Sequence, residues 1–191
     1  MAQAIDLSAI SADRVRLSLR LWPILAVSLL FVAGCIPSQQ TVPSEELPLS
    51  PIVAPDRPVD PGLVGQQEAS LKLTDQGRRH LMSGRVEEAV SVFQKAISIF
   101  PSNPYAYYYL GKARYLKKEY PQSLPALGQA ELFLSGDRIW LSRVYALRGQ
   151  TYEALSRFEE AQVQYRQALS SDSRNPEARE GIERLKSRQT R

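Results

Sequence analysis

Hydrophobic and polar positions from Ser70 onward recur at helical spacing, and the recurrence itself repeats. Gly77 is followed 12, 16 and 19 residues later by Ala89, Phe93 and Ala96. Gly111 is followed at the same distances by Ser123, Leu127 and Ala130, and Gly149 by Ala161, Tyr165 and Ala168. Residues seven apart, such as Ala89 and Ala96, share one face of a helix, and Phe93 fills the space between them. The pattern predicts pairs of short amphipathic helices. In each pair a small residue on the first helix lets the second approach closely. Two such helices cannot bury their apolar faces alone, so neighbouring pairs must stack to complete a core. The expected fold class is all-α.

The spacing between units refines this. Gly77 and Gly111 are 34 residues apart, Gly111 and Gly149 are 38 apart, and the excess is about one helical turn. The extra residues, about Arg138 to Leu141, are expected to lengthen the helix that follows, with Gly136 as a stop and Asp137 as an N-cap. Gly84 falls in the turn of the first unit. Pro125 lies early in a predicted helix, which must either start near Pro121 or bend.

These motifs resemble the tetratricopeptide repeat (TPR) family, whose unit is a 34-residue helix–turn–helix. The first unit carries Gly77, Gly84, Ala89, Phe93, Ala96 and Pro101. The second carries Tyr107, Leu110 and Gly111, and the third Tyr145, Gly149, Tyr152, Ala161, Tyr165 and Ala168. The resemblance implies a TPR-like right-handed superhelix of antiparallel helix pairs. Its repeats fall at about 70–103, 104–137 and 142–175, and a polar C-terminal capping helix at about 176–187, within a domain spanning 70–191. Ser123 departs from the usual Ala, and Arg148 from the usual aliphatic residue, which suggests a slightly rotated helix there.

In this family the first helix of each pair lines a concave side that takes extended peptides or a partner helix. The resemblance therefore points to Thr74, Arg78, Tyr105, Tyr108, Lys112, Tyr115, Arg143 and Gln150 as a partner-binding groove. Such a groove is aromatic and basic and suits an acidic or aromatic peptide. The run "YAYYYLGKARY" also reads partly as core: Tyr107 packs inward, and Tyr105 or Tyr108 can pack on an adjacent helix. The Lys and Asn set of the chaperone-binding carboxylate clamp is missing.

The segment before the repeats has a different character. Arg14, Arg16 and Arg20 precede the apolar run "LWPILAVSLLFVAG", too short for the ~20 residues that span a bilayer core. An n-region this long, with Asp6 and Asp13, leaves a start nearer Val15 open. The only cysteine follows at once, and Val32-Ala33-Gly34-Cys35 resembles the bacterial lipobox. That resemblance implies a lipoprotein signal peptide over residues 1–34, cleavage after Gly34 and acylation of Cys35, with the membrane as partner through that anchor. Ile36, rather than Asp, next to the acylated Cys points to the outer membrane in enteric-like bacteria. From Ile36 to Glu68, seven of 33 residues are proline. This reads as a disordered stalk within residues 35–69, with a reach of about 100 Å in the polyproline limit.

Composition then removes several function classes. The formal net charge is only +4, and no aromatic RNA-binding signature appears, so nucleic acid is not expected as a partner. One Cys and one His cannot form a nucleophilic triad or the usual metal site, so neither a metal nor a cofactor is expected. His80 falls where the family places a packed aromatic. The pairs Glu87-Glu88 and Glu159-Glu160 diverge by ~100° on a helix and suit the positive end of a helix dipole rather than acid–base work. The reading is a non-enzymatic, lipid-anchored scaffold for an envelope protein or peptide. The alternatives are a cell-wall-acting or substrate-binding protein using polar groove residues, and a self-associating stack.

Overall fold

The computed structural model describes Leu49 and residues 61–189, all of which fall in one compact unit, Leu47–Arg191. The expected leader, the expected lipobox with Cys35 and most of the expected stalk lie outside the described residues. Among the described residues there are helices only: α1 (Pro61–Met82), α2 (Val86–Ile99), α3 (Pro104–Leu116), α4 (Tyr120–Phe133), α5 (Arg138–Ala154), α6 (Phe158–Ser171) and α7 (Pro176–Gln189). Each helix packs on the next, and α1, α3, α5 and α7 also touch in sequence, whereas α2, α4 and α6 rest only on those first helices. The result is a two-layered right-handed superhelix with the first helices as its inner layer. The last helix among the described residues is α7, whose exposed side chains are chiefly charged: Arg179, Glu180, Glu183, Arg184, Lys186 and Arg188.

The small–small–large–small pattern is the interface within each pair. Ala89, Phe93, Ala96, Ser123, Leu127, Ala130, Ala161, Tyr165 and Ala168 have no exposed surface. A Cβ on Gly77 would lie 2.7 Å from Cδ1 of Phe93, one on Gly111 2.8 Å from Cγ of Leu127, and one on Gly149 2.5 Å from Cε1 of Tyr165. Only glycine lets the two helices of a pair come this close. Gly181 on α7 presses on the other side of the Tyr165 ring.

The turns repeat too. Gly84, Lys118 and Ser156 occupy equivalent places and all adopt positive φ, at 73°, 63° and 60°. The next residue donates its amide to the carbonyl five back in each case: Arg85 to His80, Glu119 to Arg114 and Arg157 to Tyr152, all at 2.9 Å. This bond satisfies a carbonyl that the helix end leaves open. Only the first unit uses glycine, so Lys118 and Ser156 hold a backbone state that is strained for side-chain-bearing residues.

Between units, one buried bracket recurs. Asn103 accepts the amides of Tyr105 and Ala106 as the N-cap of α3, and donates to Ser70 Oγ at 2.7 Å and Thr74 Oγ1 at 3.0 Å. Ser70 Oγ donates in turn to the Ala96 carbonyl. Asn175, Ser142 and Ala168 repeat the arrangement at the end of the stack. The middle unit has Pro104 where the others have serine, and its closing residue, Asp137, only caps α5 through the amides of Ile139 and Trp140.

One expected boundary changes, and the irregular positions of the later units gain a structural setting. Helix α1 begins at Pro61, nine residues inside the expected linker. The last proline of the stalk stands in the first helical turn, where its missing donor and fixed φ are compatible with helix. Gln67 and Ser70 are then buried against the rest of the stack. Helix α4 starts at Tyr120 with Pro121 in its first turn and carries Pro125 inside. Ser123 there uses its hydroxyl, donating to the Gly111 carbonyl at 2.8 Å. Arg148 is held by an ion pair with Glu131 on α4, which also accepts from Tyr145 Oη at 2.8 Å.

Candidate partner-binding groove

The inner layer places the eight candidate residues on α1, α3 and α5, but at very different depths. Thr74 is fully buried, back-bonded to the Ser70 carbonyl and accepting from Asn103, so it belongs to the bracket and is closed to a ligand. Tyr105 and Tyr108 are only 3% and 8% exposed. Arg78 is buried as well, with its guanidinium paired to Asp75 at 2.9 Å and lying over the Tyr109 ring at 5.4 Å. Lys112, Tyr115, Arg143 and Gln150 are half-buried and lie nearer the surface. Of the eight, the last four keep the most exposed surface.

What closes over the tyrosines is Trp140, which the sequence reading did not single out. It sits in the extra turn at the start of α5 and meets three rings of α3 edge-on: Tyr105 at 4.9 Å, Tyr108 at 5.3 Å and Tyr109 at 6.1 Å between centroids. Tyr108 and Tyr109 also meet edge to face, and Tyr109 stacks on Phe93 of α2. Edge-to-face rings add attraction beyond the area they bury. The additional turn, legible as a spacing of 38 rather than 34, thus turns an aromatic stripe into the floor of the inner face. An aromatic inside the inserted turn was the signal available in the sequence. Arg143 covers the other side, its guanidinium 5.4 Å from the Trp140 ring centroid.

Burial holds the Tyr108 hydroxyl well above its ordinary pKa, with Tyr109 and Glu177 adding to the rise and Arg143 opposing it. Glu177 of α7 and Arg143 are therefore both within electrostatic reach of this hydroxyl. Further along, Tyr165 donates to Glu153 Oε2 at 2.8 Å, and Arg184 of α7 binds the same carboxylate at 3.2 Å. Burial first, then Glu153, pushes the Tyr165 hydroxyl up. Tyr115 is raised by burial and then by Tyr120, with Glu153 and Arg184 also acting on it. The inner face is consequently basic and aromatic along α1 and α3 and acquires acids, Glu153 and Glu177, toward its C-terminal end. His80 is half-buried on α1. Among the described residues no group of three His, Cys, Asp or Glu side chains is placed to hold a metal ion, and no helix is long and apolar enough to cross a membrane.

A family model described as TPR repeat matches residues 77–118, and one described as tetratricopeptide repeat matches residues 142–175. Two segments of the chain thus match TPR models, and its superhelix is a TPR-like fold. Solved structures agree at the level of fold. The Arabidopsis OM64 TPR domain aligns with a TM-score of 0.60 and 24% identity, over 65% of this chain and 99% of that one. The first TPR domain of Spaghetti (RPAP3), bound to an HSP90 peptide, aligns with a TM-score of 0.59 and 22% identity, over 65% and 95%. The Yersinia enterocolitica type III secretion translocator chaperone SycD aligns with a TM-score of 0.53 and 18% identity, over 63% and 88%.

Proposed function

We propose that this is a lipid-anchored protein of the bacterial cell envelope whose TPR repeats hold a partner protein or peptide, without chemistry of their own. The observation that carries the interaction role is the inner face itself: a continuous surface of first helices with half-buried Lys112, Tyr115, Arg143 and Gln150 above an aromatic floor. Residues of this kind bury large area at modest entropy cost, which is what a docking surface uses. Structures of similar fold hold peptides, among them the RPAP3 domain with its HSP90 peptide. The missing Lys and Asn set argues against the same carboxylate-clamp chemistry here.

The anchor rests on the sequence: an arginine-flanked apolar run that ends in Val-Ala-Gly-Cys, with Cys35 the only cysteine. Two or more acyl chains hold a protein on a bilayer stably, at about 0.8 kcal/mol per buried methylene. Ile36 after the cysteine favours the outer membrane, with the repeats facing the periplasm. Membrane fractionation of Cys35→Ser tests the anchor. The variant is expected in the soluble fraction, and unchanged sedimentation with membranes refutes it. Crosslinking and pull-down from native membranes, comparing wild type with Lys112→Glu and Arg143→Glu, tests the inner face. Partners retained equally by all three chains would place the docking surface elsewhere.

A further inference from the structure

The two longest helices, α1 and α5, project on the same edge of the stack. Ser70 and Ser142 hold equivalent places, each donating its hydroxyl to a carbonyl near the end of a second helix, that of Ala96 or of Ala168. Helix α1 starts nine residues before Ser70 and α5 four before Ser142, which is roughly 14 Å and 6 Å of rise. These extensions carry Leu63, Val64 and Ile139. Helix α4 adds Leu132 and Phe133 in its last turn, where Phe133 stacks on Tyr107 near the start of α3 at 6.1 Å. All five apolar side chains are between 36% and 63% exposed.

The same edge is poor in charge. Residues 61–67, 97–107 and 132–136 reach it without a charged side chain, and Glu68 is the one charge on the α1 extension. At the later turns the charges are engaged: Asp137 caps α5, Arg138 donates to the Ser170 carbonyl at 3.0 Å, and Arg174 pairs with Asp172 at 3.6 Å. The opposite edge, where first helices end and second helices begin, carries Arg85, Glu87, Glu88, Lys118, Glu119 and Arg157, and Lys117 reaches Glu87 across it at 3.8 Å. An apolar edge opposed to a charged one suits a body with one side in a bilayer interface. The course of the chain favours lipid as what covers it. The stack is entered at Pro61, on the apolar edge, 26 positions after Cys35. That length of chain spans at most about 90 Å. Acyl chains on Cys35 therefore keep this edge near lipid, and its contacts have only to hold a tethered body rather than recruit it from solution.

We infer that the edge formed by Leu63, Val64, Leu132, Phe133 and Ile139 rests on the surface of the membrane that holds the anchor. The inference rests on the reading of Cys35 as the lipid attachment point. It is tested on the full-length lipoprotein in vesicles of phosphatidylethanolamine and phosphatidylglycerol, with an NBD probe on one introduced cysteine, Ile139→Cys or Leu116→Cys. The two side chains are similarly exposed, at 46% and 49%, and lie on opposite edges. Interfacial insertion by ~5–10 Å is expected to shift the emission of the probe at position 139 to the blue and to let spin-labelled lipid quench it at least about twofold more strongly than the probe at position 116. Adding Leu63→Asp and Leu132→Asp is expected to remove that difference and leave the helical circular dichroism unchanged. Equal quenching at both positions, or quenching that survives these substitutions, overturns the inference while flotation with the vesicles shows the anchor intact. A blue shift without quenching by lipid assigns the edge to a protein contact and overturns it too. Wild type that takes up the probe at Cys35 and does not float with the vesicles overturns the anchor and this inference together.

Discussion

The indole of Trp140 meets the ring of Tyr108 edge-on, 5.3 Å between centroids and at 79°. Through this contact the one irregularity in repeat length acts on the candidate site. Trp140 is 2% exposed and reaches three tyrosines of the preceding unit, so the start of α5 and the first half of α3 are tied by one side chain.

Replacing Trp140 by Ala is expected to destabilise the fold by about 3–5 kcal/mol, the range for deleting a large buried aromatic. Trp140→Phe keeps an edge-to-face ring and should lose clearly less. Urea denaturation followed by far-UV circular dichroism checks both. A loss below about 1 kcal/mol for the alanine variant would mean that the cluster does not hold the middle and last units together.

Tyr165 is gripped between Gly149 and Gly181, so Gly149→Ala should be costly although alanine is the better helix former. The added methyl must displace the ring, at about 1–3 kcal/mol for overpacking. Combined with Tyr165→Leu, which shortens the opposing side chain, part of that loss should return, and a double-mutant cycle by thermal or chemical denaturation measures the coupling. Strict additivity would show that the collision is relieved elsewhere.

Ser156 holds φ at 60° in a turn where the equivalent residue of the first unit is Gly84. An L-residue in this region is strained by about 1–2 kcal/mol, and glycine pays back part of the gain in unfolded-state entropy. Ser156→Gly, and likewise Lys118→Gly, is expected to raise stability by a few tenths to about 1 kcal/mol. Differential scanning calorimetry should show a higher Tm for each, and a lower one would mean that the side chains there make stabilising contacts.

Tyr108 and Tyr165 both titrate above the ordinary tyrosine value of 10.0, mainly because burial disfavours the phenolate. The fold therefore favours their neutral forms. This contribution to stability is present in full below pH 10.0 and is lost as the pH rises from there through the raised folded-state values. Denaturation midpoints should fall steeply above that pH, and Tyr165→Phe, which keeps the ring but cannot ionise, should flatten the fall. An unchanged slope would exclude Tyr165 from the alkaline transition.

The helix pairs were legible before any coordinates because their determinants are local and periodic. A glycine with small and large residues 12, 16 and 19 places later states which face of which helix is buried, whatever surrounds it. The extra turn at Arg138–Leu141 and the Asp137 cap were equally plain, since a four-residue insertion can be absorbed as one helical turn without disturbing the register. Depth on the inner face was not legible in the same way. Tyr105 and Tyr108 occupy positions that normally line a groove, and only a side chain from another unit, Trp140, puts them under cover.

Thr74 was misplaced for the same reason. Its spacing sets it on the inner stripe, but Asn103, 29 residues later, takes its hydroxyl into a buried bracket. The start of α1 at Pro61 escaped the sequence reading because proline looks the same in a stalk and in the first turn of a helix, and the burial of Gln67 against the stack decides between them. Periodicity along the chain thus determined the repeats, the turns and the pairing of helices, since each depends on residues close in sequence. The tertiary structure alone decided which inner residues are floor and which are surface, because burial depends on what distant segments bring to the same place.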